Sequence, residues 1–260
     1  MSTVVMMTSG KGGVGKSTAT ASLAMALCRL NKKVLCVDMD LGLRNLDVVL
    51  GLENRLLYDM KDIAAGRCTL DQALVQDKRI PNLYLLSACR NLNLDKLRQS
   101  DVHRIINLCK EYFDVILLDC PAGIERGFQY AMSCADWAYL VVLLDITSLM
   151  DADRVAGILL RNGFDQIQLI VNRVNPVYIK NKIQCTVDEA QNYLSLPLAG
   201  VIYEDSECIR AMNYGHLSVP CSDLTKRCFD VIARRFLGQD TPIPKYIKKG
   251  WFKNKGGNSR

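Results

Sequence analysis

Long apolar runs are missing from this sequence: the longest, Trp137 to Leu144, spans eight residues. A helix that crosses a bilayer needs about 20, so no transmembrane helix is expected. The start, Met1-Ser2-Thr3, has no basic lead-in, and the apolar stretch after it stops at Gly10. No signal peptide is therefore expected, and no lipidation motif is present at either end. Histidine is scarce. His103 and His216 both sit in polar surroundings and are expected at the surface, without a chemical role. The 11 cysteines include no C-x-x-C pair, and their number is odd. That excludes a regular disulfide framework and speaks against a metal or cluster site. Most lie among apolar neighbours, as Cys28, Cys36, Cys109 and Cys228 do. Reduced, buried thiols of a cytosolic protein are the expectation.

Acid is absent from residues 245 to 260, which carry Lys245, Lys248, Lys249, Lys253, Lys255 and Arg260. Those six are the whole net charge of +6, so residues 1 to 244 are formally neutral. An excess confined to one end predicts an anionic partner for that end. What remains is ordinary for a folded chain: 260 residues, 49% hydrophobic and 23% charged, enough for a sizeable core.

Strand-like and helix-like segments alternate along the chain. Strands are expected at Val4–Thr8, Val34–Val37, Leu83–Leu86, Val115–Leu118, Trp137–Leu144, Gln168–Val171 and Leu198–Ile202. Helices are expected at Lys16–Leu30, Tyr58–Ala65, Leu70–Val75, Leu92–Tyr112 and Ser222–Phe236, and on either side of Trp137–Leu144. In the last helix Leu224, Cys228, Val231, Ile232 and Phe236 form an apolar stripe, and Gly238 can end it. Continuous apolar strands must be covered on both faces. Their alternation with helices predicts an α/β fold: one doubly wound, mainly parallel sheet over residues 1–238. Residues 239–244, with two prolines, read as a linker to the basic tail 245–260.

Gly10-Lys11-Gly12-Gly13-Val14-Gly15-Lys16-Ser17 satisfies G-x-x-x-x-G-K-[ST], between a strand and a helix as that motif requires. Its glycines let backbone N–H groups turn around phosphate oxygens, and the helix N-terminus adds its positive dipole end. Lys16 would reach the β- and γ-phosphates, and Ser17 would offer a hydroxyl to Mg²⁺. ATP with Mg²⁺ is the expected ligand pair of this P-loop fold. Asp38 and Asp40 end the second strand two residues apart, on one face. Asp119 follows the apolar run Val115–Leu118, where a Walker B aspartate stands. It would hold Mg²⁺ through water.

Lys11 is a lysine that an ordinary phosphate loop does not need. The run Lys11 to Thr18 resembles the deviant Walker A loop of the MinD/ParA family of ATPases. The resemblance implies that Lys11 crosses a homodimer interface to the partner's nucleotide and stabilises transition-state charge. It implies that Asp40 orients the attacking water and that Asp38 lies on the metal side. Cys120-Pro121-Ala122-Gly123 looks like the family's second switch. Asn172-Arg173 closes a strand where the family recognises the adenine edge, and Tyr203-Glu204-Asp205 would pack beside the base.

Further blocks resemble the septum-positioning branch of that family rather than its DNA-partitioning branch. They are Asp40 to Asp47, Ala73 to Arg79, Asp119 to Glu125, Asp151 to Arg154 and Gly200 to Asp205. The tail Tyr246 to Lys253 resembles the branch's membrane-targeting helix, with Ile247 and Trp251 four apart and Phe252 beside them. The implied partners are an anionic membrane surface, a MinC-like division inhibitor, and an activator or topological factor, MinE-like or pole-associated. Sequence-specific nucleic acid is not expected. Two departures stand out. Leu143-Leu144-Asp145 replaces the family's Asn-Pro-Glu-like turn, and the tail ends without the usual further bulky apolar residues. A flagellar-number regulator or a DNA-partitioning ATPase are the alternatives within the family. An iron–sulfur protein on the same fold is the alternative outside it, against which the missing C-x-x-C counts.

Overall fold

The computed structural model describes residues 2–40, 45–87, 97–213 and 222–246. Within the block Asp40 to Asp47, residues 41–44 lie outside these ranges, as do the start of the expected helix at 92–96, His216 and the tail from 247 onward.

Among the described residues eight strands form one sheet: β1 (Thr3–Thr8), β2 (Val34–Asp38), β3 (Val75–Gln76), β4 (Leu83–Ser87), β5 (Val115–Asp119), β6 (Trp137–Val142), β7 (Ile167–Val174) and β8 (Leu198–Tyr203). Their spatial order is β3-β4-β2-β5-β1-β6-β7-β8, and every pairing is parallel except β3 with β4. Successive strand residues face opposite sides. Along β1, Val4 and Met6 join one apolar cluster and Val5 and Met7 the other. The first face is covered by α3 (Met60–Ala64), α5 (Gln99–Cys109), α6 (Arg126–Cys134), α7 (Ile146–Arg161) and α9 (Val187–Leu194). The second is covered by α1 (Lys16–Arg29), α2 (Leu46–Leu50) and α11 (Asp223–Phe236). The remaining short helices are α4 (Leu70–Ala73), α8 (Pro176–Lys180) and α10 (Ser206–Asn213). This is the doubly wound sheet that alternation predicts. Its ligand crevice lies outside the carboxyl ends of the strands, next to the central β1.

Several local expectations need correction. The helix expected from Leu92 begins at Gln99, where the Asp101 carboxylate reaches back and accepts from Arg98 N at 3.3 Å. Leu97 and Arg98, placed inside that helix, are not helical. Val75, placed in a helix, pairs with Leu85 as part of an antiparallel edge strand. An edge strand of two residues carries too little sequence to announce itself. Leu143 and Leu144 fall outside β6, and β7 runs three residues beyond Val171. In α11 Cys228, Val231 and Ile232 are buried as expected. Phe229 and Ala233 share that stripe, whereas Leu224 and Phe236 only flank it. Among the described residues eight cysteines carry free thiols, but Cys208 is disulfide-bonded, against the expectation that the cysteines are reduced.

One close approach ties the segments that follow β2 and β5 to α6. Gly127, near the start of α6, packs on the Met39 carbonyl oxygen, and a Cβ there would run into that oxygen and lie 2.9 Å from Pro121 Cδ. Alanine would favour a helix by about 1 kcal/mol over glycine. Here both contacts are rigid, so the clash decides the sign. Gly127→Ala should lower the unfolding free energy by about 1–3 kcal/mol, the cost of overpacking. Urea titration measures it, and an unchanged midpoint would mean that the Met39 and Pro121 backbones yield.

Candidate functional site

The loop Ser9 to Gly15 joins β1 to α1 and wraps a cavity of about 510 Å³. Small-molecule sites run from about 300 to 1,000 Å³. Lys11, Gly12, Gly13, Val14, Gly15, Lys16, Ser17, Thr18 and Asp40 all line it, as the loop's sequence requires. Gly15 sits at φ 90° in front of α1, and a Cβ there would lie 2.5 Å from Asn172 Nδ2. A left-handed backbone and a side chain pressed against it leave only glycine at that position.

Lys16 points inward. Its Nζ donates to Asp119 Oδ1 at 2.9 Å, and both side chains are nearly buried. The Thr20 hydroxyl donates to the same oxygen at 3.0 Å. Burial pulls the Lys16 ammonium down, but the Asp119 carboxylate against it outweighs burial and holds it above the ordinary lysine value. Asp38 lies level with Asp119 on the neighbouring strand. Its Oδ1 accepts from Asp40 N at 3.0 Å, and its Oδ2 accepts from the Asn45 and Leu46 N–H groups at 3.2 Å each. Burial first, and the Asp119 charge second, push the Asp38 carboxyl up to about 7 against those three donors. Two buried carboxylates beside one ammonium form a site short of positive charge. That is the donor set a divalent cation would complete, and Ser17 lines the adjoining cavity together with Lys16.

Lys11 lies at the mouth. Its Nζ donates to Thr147 Oγ1 at 3.0 Å and stands 3.6 Å from Asp145 Oδ1. Asp145 caps α7 by accepting from Ser148 N at 2.9 Å, and it takes the Thr147 hydroxyl at 2.6 Å. Burial raises the Asp145 carboxyl, but these donors and Lys11 hold it below the usual range. The altered Leu143-Leu144-Asp145 turn thus keeps a carboxylate beside the extra lysine.

Asn172 and Arg173 form a bulge between β7 and β8 rather than a strand end, with Arg173 at φ 53°. A bulge re-aims side chains. Asn172 Nδ2 donates to Val14 O at 2.7 Å, and its Oδ1 accepts from Arg173 N at 2.9 Å. An amide has two donors and two acceptor sites, so one of each remains for a ligand edge. A smaller recess of about 40 Å³ continues from Gly15 and Thr18 past Asn172, Arg173, Tyr203 and Asp205. Asp205 takes the Thr225 hydroxyl at 2.6 Å and Ser222 N at 2.9 Å. Glu204 lines neither cavity, and its Oε2 accepts from Asn175 Nδ2 at 2.8 Å. Sequence reasoning missed Thr147 as the Lys11 anchor, Val48 and Val49 on the cavity wall, and Ile202 and Ile209 in the recess. Asp145 three residues before Ser148 is a helix-cap signal that could have drawn attention to Thr147 between them.

Known proteins share this arrangement. Residues 5–219 match the CobQ/CobB/MinD/ParA nucleotide binding domain. The septum site-determining protein MinD of Synechocystis is 43% identical over 254 residues, which cover 95% of this chain and 94% of that protein. The MinC:MinD cell division protein complex of Aquifex aeolicus contains a chain with TM-score 0.85 and 38% identity, covering 94% of this chain and 99% of its own. Pyrococcus horikoshii MinD, solved with Mg-ADP, has TM-score 0.77 and 30% identity, covering 91% of this chain and 96% of its own. With its phosphate loop, its second lysine and its sheet order all in place, the chain belongs to the CobQ/CobB/MinD/ParA nucleotide-binding family, within the septum-site-determining MinD group.

Proposed function

We propose that this chain is an ATP hydrolase that dimerises with ATP, binds anionic membrane as a dimer and leaves it on hydrolysis, thereby positioning the division septum. The convergence of Lys11, Lys16, Ser17 and Asp40 on one cavity carries this reading. The loop N–H groups and Lys16 bind the phosphates. Mg²⁺, held from Ser17, Asp38 and Asp119, supplies further neutralisation of phosphate charge. Asp119 and Lys16 bind each other in the described structure, so a phosphate that takes Lys16 leaves Asp119 to the metal. Asn172, Arg173, Tyr203 and Asp205 line the small recess beside the loop, toward which the adenine edge would lie. Glu204 acts at one remove, by holding Asn175 at the base of that wall.

Lys11 acts across the homodimer interface, which requires it to leave Thr147 and Asp145. A MinC-like inhibitor is the partner that the ATP-bound dimer recruits, since the Aquifex relative is solved in complex with MinC. A MinE-like or pole-associated factor triggers release. Among the described residues no helix is long and apolar enough to cross a membrane. Attachment therefore falls to the tail, on the inner face of the cell membrane. Each large apolar side chain buried there contributes roughly 1.5–3 kcal/mol, each lysine about 1 kcal/mol, and two tails on one dimer reinforce each other.

Asp40 tests the chemistry apart from binding. Its backbone N–H is held by Asp38 and its side chain lines the cavity, where a carboxylate can orient water. Asp40→Ala should leave ATP binding intact and slow single-turnover hydrolysis by about 100-fold or more, the usual worth of a positioned base. Residence on anionic vesicles should lengthen accordingly. Unchanged single-turnover hydrolysis would remove Asp40 from the reaction, and ATP-dependent sedimentation with DNA instead of vesicles would favour a partitioning ATPase.

A further inference from the structure

The turn after β7 has a composition that the nucleotide site does not explain. Asn175 caps α8 through its Oδ1, which accepts from Val177 N at 3.0 Å and Tyr178 N at 3.4 Å. The helix then closes on itself. Lys182 N donates to Ile179 O at 3.0 Å and Ile183 N to Tyr178 O at 2.8 Å, with Lys182 at φ 57°. Ile179 and Cys185 pack on the core. The opposite side is apolar and open: Val177 is 49% exposed, Tyr178 42% and Ile183 66%. Lys180 and Lys182 are exposed among them, and no acidic residue occurs between Arg173 and Val187. Single exposed apolar residues are ordinary. Three on one well-bonded turn, interleaved with two lysines, make a compact amphipathic surface.

That surface lies where the tail leaves the fold. Val174, one residue before the α8 cap, pairs with Tyr203 on β8, and Asn175 bonds to Glu204. The Tyr203 hydroxyl donates to Pro244 O at 3.0 Å, and its ring lies 5.3 Å from that of Tyr246. The stretch read as a linker is therefore strapped to β8, and Ile243 packs on the core. The chain beyond Tyr246, with five of the six tail charges, starts beside the base of the turn.

We propose that the α8 turn is a second lipid-contact surface, which seats Val177, Tyr178 and Ile183 at the interface of an anionic membrane with Lys180 and Lys182 against its headgroups. It rests on the reading of residues 245–260 as a membrane anchor. A tail alone leaves the body free to rotate over the bilayer. A rigid contact next to its root fixes the orientation, and tyrosine with lysine is the composition that membrane interfaces favour.

The test is sedimentation with phosphatidylglycerol–phosphatidylcholine vesicles in a slowly hydrolysed ATP analogue. The full chain is compared with Lys180→Glu/Ile183→Ser and with a chain ending at Pro244. Both substituted side chains are exposed, so the fold is not at stake. The double variant should bind on the order of 100-fold more weakly, while its dimerisation without vesicles, followed by light scattering, stays unchanged. The shortened chain should lose binding. Undiminished binding of the double variant overturns the proposal and leaves the tail reading standing. Equal loss of dimerisation also overturns it, by making the turn a subunit contact. If the shortened chain still binds and only the double change abolishes that binding, the tail reading fails and the α8 surface stands. If the full chain ignores these vesicles, both fail.

Discussion

Lys16→Ala should abolish productive ATP binding, and it should cost stability even without nucleotide. The ammonium is the positive charge paired with Asp119, at 2.9 Å, and the Asp119 side chain is 1% exposed. Removing it leaves that carboxylate with the Thr20 hydroxyl as a donor. Breaking one partner of a buried ion pair costs about 3–5 kcal/mol, so the thermal or urea transition should move visibly. Binding should fall for a related reason. The loop N–H groups bring dipoles to the phosphates, but the full charge at this position is lysine's. Losing one member of a desolvated charge pair costs about 2–5 kcal/mol, so affinity should drop on the order of 100-fold or more. Lys16→Gln separates the two effects. It keeps a donor within reach of Asp119 but carries no charge, so much of the stability should return while ATP affinity stays low. Calorimetric titration with ATP and Mg²⁺ reads the affinity, and near-wild-type affinity in either variant would remove the phosphate-loop assignment.

Lys11→Ala should have the opposite profile, a large kinetic effect on an intact fold. Lys11 is 42% exposed, and its partners are Thr147 and the half-exposed Asp145. Surface pairs of this kind contribute about 0–1 kcal/mol, and Asp145 keeps its bonds to Thr147 and Ser148. Monomer stability and nucleotide binding should therefore change little. If Lys11 reaches a second subunit's nucleotide, ATP-induced dimerisation should fail and hydrolysis should fall on the order of 1,000-fold, as when a trans-acting arginine is lost. Light scattering with an ATP analogue and a turnover assay measure the two. A variant that dimerises and hydrolyses normally would make Lys11 an ordinary loop lysine held by Thr147.

These two lysines differ little as letters in a motif, and the phosphate loop was legible from its spacing alone. Eight residues with four glycines, between an apolar strand and a helix, admit few other structures, because the backbone must turn tightly and expose N–H groups. The alternation of apolar strands with helices was equally plain, since a strand covered on both faces has no polar side to show. The family, the doubly wound sheet and the members of the loop followed from such local patterns. Tertiary structure decided what local pattern cannot carry. The short β3 edge has no signal until β4 lies beside it. The start of α5 is marked by the Asp101 carboxylate accepting from Arg98 N rather than by the apolar period that suggested an earlier start. Asn172 looked like the end of a strand. Only the bulge, with Arg173 in the left-handed region, turns its amide onto Val14 across 158 residues of sequence. Asp119 could be placed at a strand end, but its pairing with Lys16 depends on β5 lying beside β1. Whether a charge is paired, and with what, depends on distances of a few ångströms between residues far apart in the chain. That is why the chemistry of the loop was written in the sequence, while the state of its charges was set by the packed sheet.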